Sequence, residues 1–97
     1  HGKTPASAKR LAQSIIAERS WYSTHQWKCL NQLWYQESRW VYTADNPHSS
    51  AYGIAQVLHT KTTSTPYEQI IAGLAYIEDR YETPCAAWKF HQAHHYY

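Results

Sequence analysis

The sequence predicts a mostly α-helical domain, and three observations predict it. Thr-Pro occurs at Thr4-Pro5, Thr65-Pro66 and Thr83-Pro84, and each pair fits an N-cap residue followed by proline at the first helical position. Apolar side chains recur at three- and four-residue spacing. No stretch alternates over enough residues to predict a strand.

Thr4-Pro5 opens a helix running to about Arg19, with Ala8, Leu11, Ala12 and Ile15 as its apolar stripe. Trp21-Tyr22 turn the chain. Ser23 with Gln26 forms a capping box for a second helix, which includes Trp27 to Glu37 and ends near Ser38. At about 100° per residue, Trp27, Leu30, Leu33 and Trp34 share one stripe, and Glu37 falls in its middle. Arg39 to His48 reads as a loop, with Asn46-Pro47 as a turn signal. Ala51 to Leu58 reads as a short, irregular helix containing Gly53. His59 to Ser64 is polar and Thr-rich, which predicts a surface loop. Thr65-Pro66-Tyr67-Glu68 is a capping box, so Glu68 is assigned a structural duty. Tyr67, Ile70, Ile71, Leu74, Ile77 and Tyr81 form one face of the helix behind it. Thr83-Pro84 starts a last helix through Cys85, Ala86, Ala87 and Trp88.

Ninety-seven residues fit one domain with a limited core, so residues 1–97 are read as a single unit that gains from a covalent staple. The net charge of +2, with Lys and Arg scattered, carries no strong nucleic-acid footprint. No transmembrane run or secretory signal is visible, and a piece of a longer precursor is the simplest account. Nothing suggests a coiled coil or a large exposed apolar stripe, so a monomer is expected. Cys29 and Cys85 are either two buried thiols or one disulfide; a bridge would close a loop of about 57 residues, worth ~4 kcal/mol in the chain-entropy model. Their spacing matches no zinc motif. Five Trp and nine Tyr serve a core first, and as a group they also suit a groove that stacks on sugar rings.

Glu37 is the candidate acid. A carboxylate inside an apolar stripe is desolvated, which favours its protonated form. A neutral carboxylic acid near pH 7 is what protonating a sugar's leaving oxygen requires. The ordinary alternative is a buried acid that bridges helices. Among the other acids, Glu68 is a cap and Glu82 lies in a turn, while Glu18 and Asp79 lie off their helices' apolar faces. Asp45 could approach the site from its loop. Glu78 falls inside its own stripe, where an ion pair with an Arg is expected. His91-x-x-His94-His95 has the i, i+3 spacing that can share a metal. No acidic or Cys partner follows, so no metal or other cofactor is expected. These histidines are read as solvated, or as lying along a groove.

The run Glu37-Ser38-Arg39-Trp40, followed by Asn46-Pro47 and Ser50-Ala51-Tyr52-Gly53-Ile54-Ala55-Gln56, resembles the catalytic segment of lytic transglycosylases of the goose-type lysozyme superfamily. More narrowly, it is similar to the small lysozyme-like domains of secreted actinobacterial proteins and of some phage tail proteins. The likeness continues through Gly73 to Tyr81 and Thr83-Pro84-Cys85-Ala86-Ala87-Trp88, covering most of the chain after residue 25. Its most specific part is Glu-Ser with Gly-x-x-Gln placing Gln56 nineteen residues after Glu37.

The resemblance implies a small, mostly α, lysozyme-like domain of about four to six helices. It implies cleavage of the MurNAc–GlcNAc bond of peptidoglycan strands, with Glu37 as the acid and base. Gln56 matches the glutamine that closes the motif, and Asn46 falls where relatives carry a small polar residue beside the cleaved bond. Asn46, Ser50 and Gln56 would hold acetamido and hydroxyl groups, and Tyr52, Tyr76 and Trp88 would line the groove. Trp88-Lys89 stands where many relatives have Tyr-Asn. Cys29 and Cys85 match the cysteines of the nearest group, which implies the bridge and a secreted, wall-associated or phage-tail setting. Glycoside hydrolysis usually needs two carboxylates. A transglycosylase needs one, because its nucleophile belongs to the substrate. The alternatives are a lysozyme-type hydrolase using Asp45 or a positioned water, and a wall-binding module without turnover.

Overall fold

The computed structural model describes residues 2–95. Its elements in chain order are α1 (Pro5–Ile16), α2 (Thr24–Ser38), β1 (Ala51–Tyr52), β2 (Val57–Leu58), α3 (Pro66–Tyr81) and α4 (Pro84–His94). The domain is small and mostly helical, and no helix among the described residues is long and apolar enough to cross a membrane.

All three Thr-Pro pairs open helices. The hydroxyls of Thr4, Thr65 and Thr83 accept the N–H groups of Ser7, Glu68 and Ala86, and proline occupies the first turn each time. Glu68 completes its box by accepting the Thr65 N–H at 2.8 Å, and that bond holds its carboxyl below the usual range. Ser23 caps α2, but Gln26 does not reach back to it. The Gln26 side-chain amide oxygen (Oε1) instead accepts the Cys85 N–H at 2.9 Å, so α2 helps satisfy the start of α4.

The core gathers Ala8, Ala12 and Ile16 of α1, Leu30, Leu33 and Trp34 of α2, Ile70, Leu74 and Ile77 of α3, and Ala87 of α4. Tyr67, expected on the inner face of α3, is exposed. Trp34 and Trp40 are fully buried and meet edge to face at 5.3 Å, with Trp27 against Trp40 at 5.7 Å. These tryptophans do core work. Consecutive left-handed residues, Arg39 at φ 55° and Trp40 at φ 64°, turn the chain back so that the Trp40 indole N–H reaches the Asn31 side chain at 3.0 Å. The expected ion pair of Glu78 is present: Arg19 reaches it at 3.0 Å, and the Trp21 indole N–H donates to its other oxygen at 3.1 Å.

Cys29 and Cys85 form a disulfide that ties α2 to α4. A small domain stapled in this way fits an oxidising, extracytoplasmic setting.

The short helix expected over 51–58 is a correction. The segment is an antiparallel hairpin, with Ala51 opposite Leu58 and Tyr52 opposite Val57. Helical hydrogen bonds cannot form there because distant side chains claim the backbone. Buried Gln69 accepts the Ile54 N–H at 2.9 Å, and the Ser38 hydroxyl donates to the Ile54 carbonyl at 2.6 Å. Gly53 sits at φ 85° directly against Gln69, leaving no space for a Cβ.

Candidate active site

Glu37 lies in the last turn of α2, where the apolar stripe of that helix runs out beside the hairpin. Its side chain is 17% exposed, and burial pushes its carboxyl up from 4.5 to about 7. The spacing argument and the structure thus agree on a desolvated acid. It lines a cavity of about 460 Å³, within the usual range for a small-molecule site. Among the described residues it is the single carboxylate lining that cavity.

Three of the expected substrate contacts, Asn46, Gln56 and Tyr76, line the same cavity. Gln56 has a structural duty as well. Its side-chain N–H groups donate to the carbonyls of Ala44 and Gly53, both at 2.9 Å, which ties the hairpin to the preceding loop.

Ser50, Tyr52 and Trp88 do not line it. The neighbouring Ser49 and Ala51 do, together with Val57 and Leu58 of β2. The Ser50 hydroxyl instead accepts the His59 N–H at 3.2 Å. Trp88 faces a separate, shallower groove with Gln32 and Gln36, and its ring stacks nearly parallel on His91 at 5.7 Å. Asp45 is exposed, is paired through its backbone with Tyr52, and is not among the lining residues.

Sequence reasoning missed Arg80 and the pairing of Glu37 with His91, whereas His95, read as solvated or along a groove, lines the cavity. Arg80 lies one turn beyond Tyr76, with its guanidinium 5.4 Å from that ring, so the i, i+4 spacing was its available signal. His91 Nε2 is 3.1 Å from Glu37 Oε1, and no local pattern announces a contact between such distant residues. The i, i+3 histidines diverge: His91 turns to Glu37, whereas the His94 ring packs on Phe90 at 4.2 Å. Among the described residues, the one cluster of three metal-ligating side chains joins His25 to Cys29 and Cys85, whose sulfurs are committed to the disulfide.

Comparison with family models, with characterised proteins and with solved structures finds no match to this chain. The fold and site define a small, mostly helical domain with one desolvated acid in a cavity of small-molecule size.

Proposed function

We propose that the chain is a peptidoglycan lytic transglycosylase domain, secreted, wall-bound or carried on a phage tail. The observation that carries this reading is the desolvated Glu37, alone among the carboxyl groups of the described residues in lining the cavity, with its carboxyl pushed up to about 7 by burial.

Glu37 delivers its proton to the oxygen between MurNAc and GlcNAc, and the bond from C1 to that oxygen breaks. The carbonyl oxygen of the substrate's own acetamido group closes on C1 and takes up the positive charge. The Glu37 carboxylate then removes the C6 hydroxyl proton, O6 attacks C1, and the acetamido group is released. The 1,6-anhydro product leaves with Glu37 protonated again. One carboxyl group suffices for both transfers, in keeping with the exposed Asp45 outside the cavity. Asn46 and Gln56 offer amide groups to the sugars, and Tyr76 offers a ring face.

Digestion of purified peptidoglycan followed by mass spectrometry tests the reading. The expected products are anhydro-muropeptides, one water lighter than hydrolytic ones. Glu37→Gln is expected to lower the rate by roughly a thousandfold, since positioned general acids contribute about 10²–10⁴. Hydrolytic masses would instead show a lysozyme-type reaction, and binding to walls without soluble products would show a module without turnover.

A further inference from the structure

The proton of Glu37 has two oxygens to occupy, and the geometry around His91 bears on which one it takes. The imidazole is held in place: it is 14% exposed and stacked on partly buried Trp88, which packs against the core. Its Nε2 meets Glu37 Oε1 at 3.1 Å. The groups on the cavity wall beside this pair are His95, the residue that caps the end of α4, and Arg80 and Tyr76 from α3. Burial, with His95 nearby, holds His91 below its ordinary range, and burial pushes Glu37 up to about 7, so between the two titrations a neutral ring faces a neutral acid.

Two neutral partners can share one hydrogen bond in two ways. In one, Oε1 carries the acidic proton and gives it to Nε2, leaving nothing to deliver to a sugar. In the other, Nε2–H donates to Oε1, and the acidic proton sits on Oε2. We propose that His91 is the positioning residue of Glu37, donating Nε2–H to Oε1 so that Oε2 carries the proton to be transferred. The same donor then stabilises the carboxylate left behind, and no proton leaves His91 in either step. The inference rests on the acid role assigned to Glu37 above.

His91→Phe keeps a flat ring on Trp88 and removes the donor; His91→Gln supplies a side-chain N–H near the Nε2 position. On purified peptidoglycan, His91→Phe is expected to lower kcat roughly tenfold to a hundredfold with KM nearly unchanged. Its alkaline limb should move up by about one unit, because the carboxylate has lost a hydrogen bond. His91→Gln should recover much of both. Thermal unfolding of each variant identifies any loss of fold. In parallel, the Glu37 carboxyl and the imidazole nitrogens are titrated by NMR in the free protein. An upward Glu37 shift in His91→Phe and a protonated Nε2 in the wild type support the proposal, even if no peptidoglycan is cleaved and only the functional reading fails. A wild-type rate and pH limb in His91→Phe, an unshifted Glu37, or a bare Nε2 would overturn it.

Discussion

Two parts of the molecule around the cavity are built on opposite principles, with Tyr76 and Arg80 of α3 completing the lining. The α2–α4 wall, which carries Glu37, is held by apolar packing and a covalent bond: Leu30, Leu33, Trp34 and Ala87 are buried, and Cys29–Cys85 joins the helices. The hairpin wall has two residues per strand and is held by side chains that bond its main chain. Gln69 fastens Ile54, Tyr42 and Ser64; Ser38 fastens Ile54; Gln56 fastens Ala44 and Gly53. Packing tolerates gradual change, whereas a buried polar fastener is satisfied or costly. Glu37 is carried by the first wall, and much of the space it faces is shaped by the second.

Breaking the staple is the largest expected perturbation. Cys29→Ser with Cys85→Ser should lower stability by ~4 kcal/mol, the chain-entropy value for a loop of this length. Denaturant unfolding would measure it, and a loss below about 1 kcal/mol would show that packing alone holds α2 against α4.

Gln69→Leu strikes the other wall. It leaves the Ile54 N–H and the Tyr42 carbonyl without their partner, at an expected ~3 kcal/mol. Hydrogen exchange should show the hairpin amides opening while those of α2 and α4 stay protected. Equal loss in both places would mean the walls are one cooperative unit.

Glu37→Gln acts at the seam, with opposite sign. Burial pushes the Glu37 carboxyl from its ordinary 4.5 up to about 7, so the native state binds its proton more tightly and loses stability as pH rises across that window. The loss amounts to ~3 kcal/mol above pH 7, and the variant avoids it. It should be about 2–3 kcal/mol more stable than wild type at pH 8 and equal to it near pH 4. His91 contributes in the other direction, because its folded value lies below 6.5 and its burial is penalised as pH falls through that region. Thermal unfolding across pH would expose both limbs.

The smallest effect is expected for Ser38→Ala. It removes the 2.6 Å bond to Ile54 and the acceptor for the Trp40 N–H, at about 1–2 kcal/mol. A rate loss on peptidoglycan larger than this stability loss would show that the hairpin's position, and not just its presence, matters.

The same division explains what the sequence could show. Thr4, Thr65 and Thr83 act on N–H groups three residues away, so local pattern sufficed for three helix starts. The desolvation of Glu37 followed from four apolar residues on its own helix. The hairpin did not follow, because Ile54 takes its conformation from Gln69 and Ser38, and strands of two residues are too short for a period to show. Ser50 and Tyr52, expected at the site from the resemblance, lie outside the cavity lining. The one local hint was Gln69 itself, an amide set among Pro66, Ile70, Gly73 and Ile77 on the buried face of α3. Trp88 was expected to meet a ligand and instead stacks on His91, its i, i+3 neighbour on α4.

Gly73 sets the thickness of the domain behind the cavity. A Cβ there would stand 2.5 Å from the Ala55 methyl and 2.7 Å from the Trp34 indole, so α3 rests on both through a bare α-carbon. Even alanine would act as a wedge. It would lift the helix one turn before Tyr76 and two before Arg80, parting a tyrosine and a cation from the glutamate across the gap without altering any of the three.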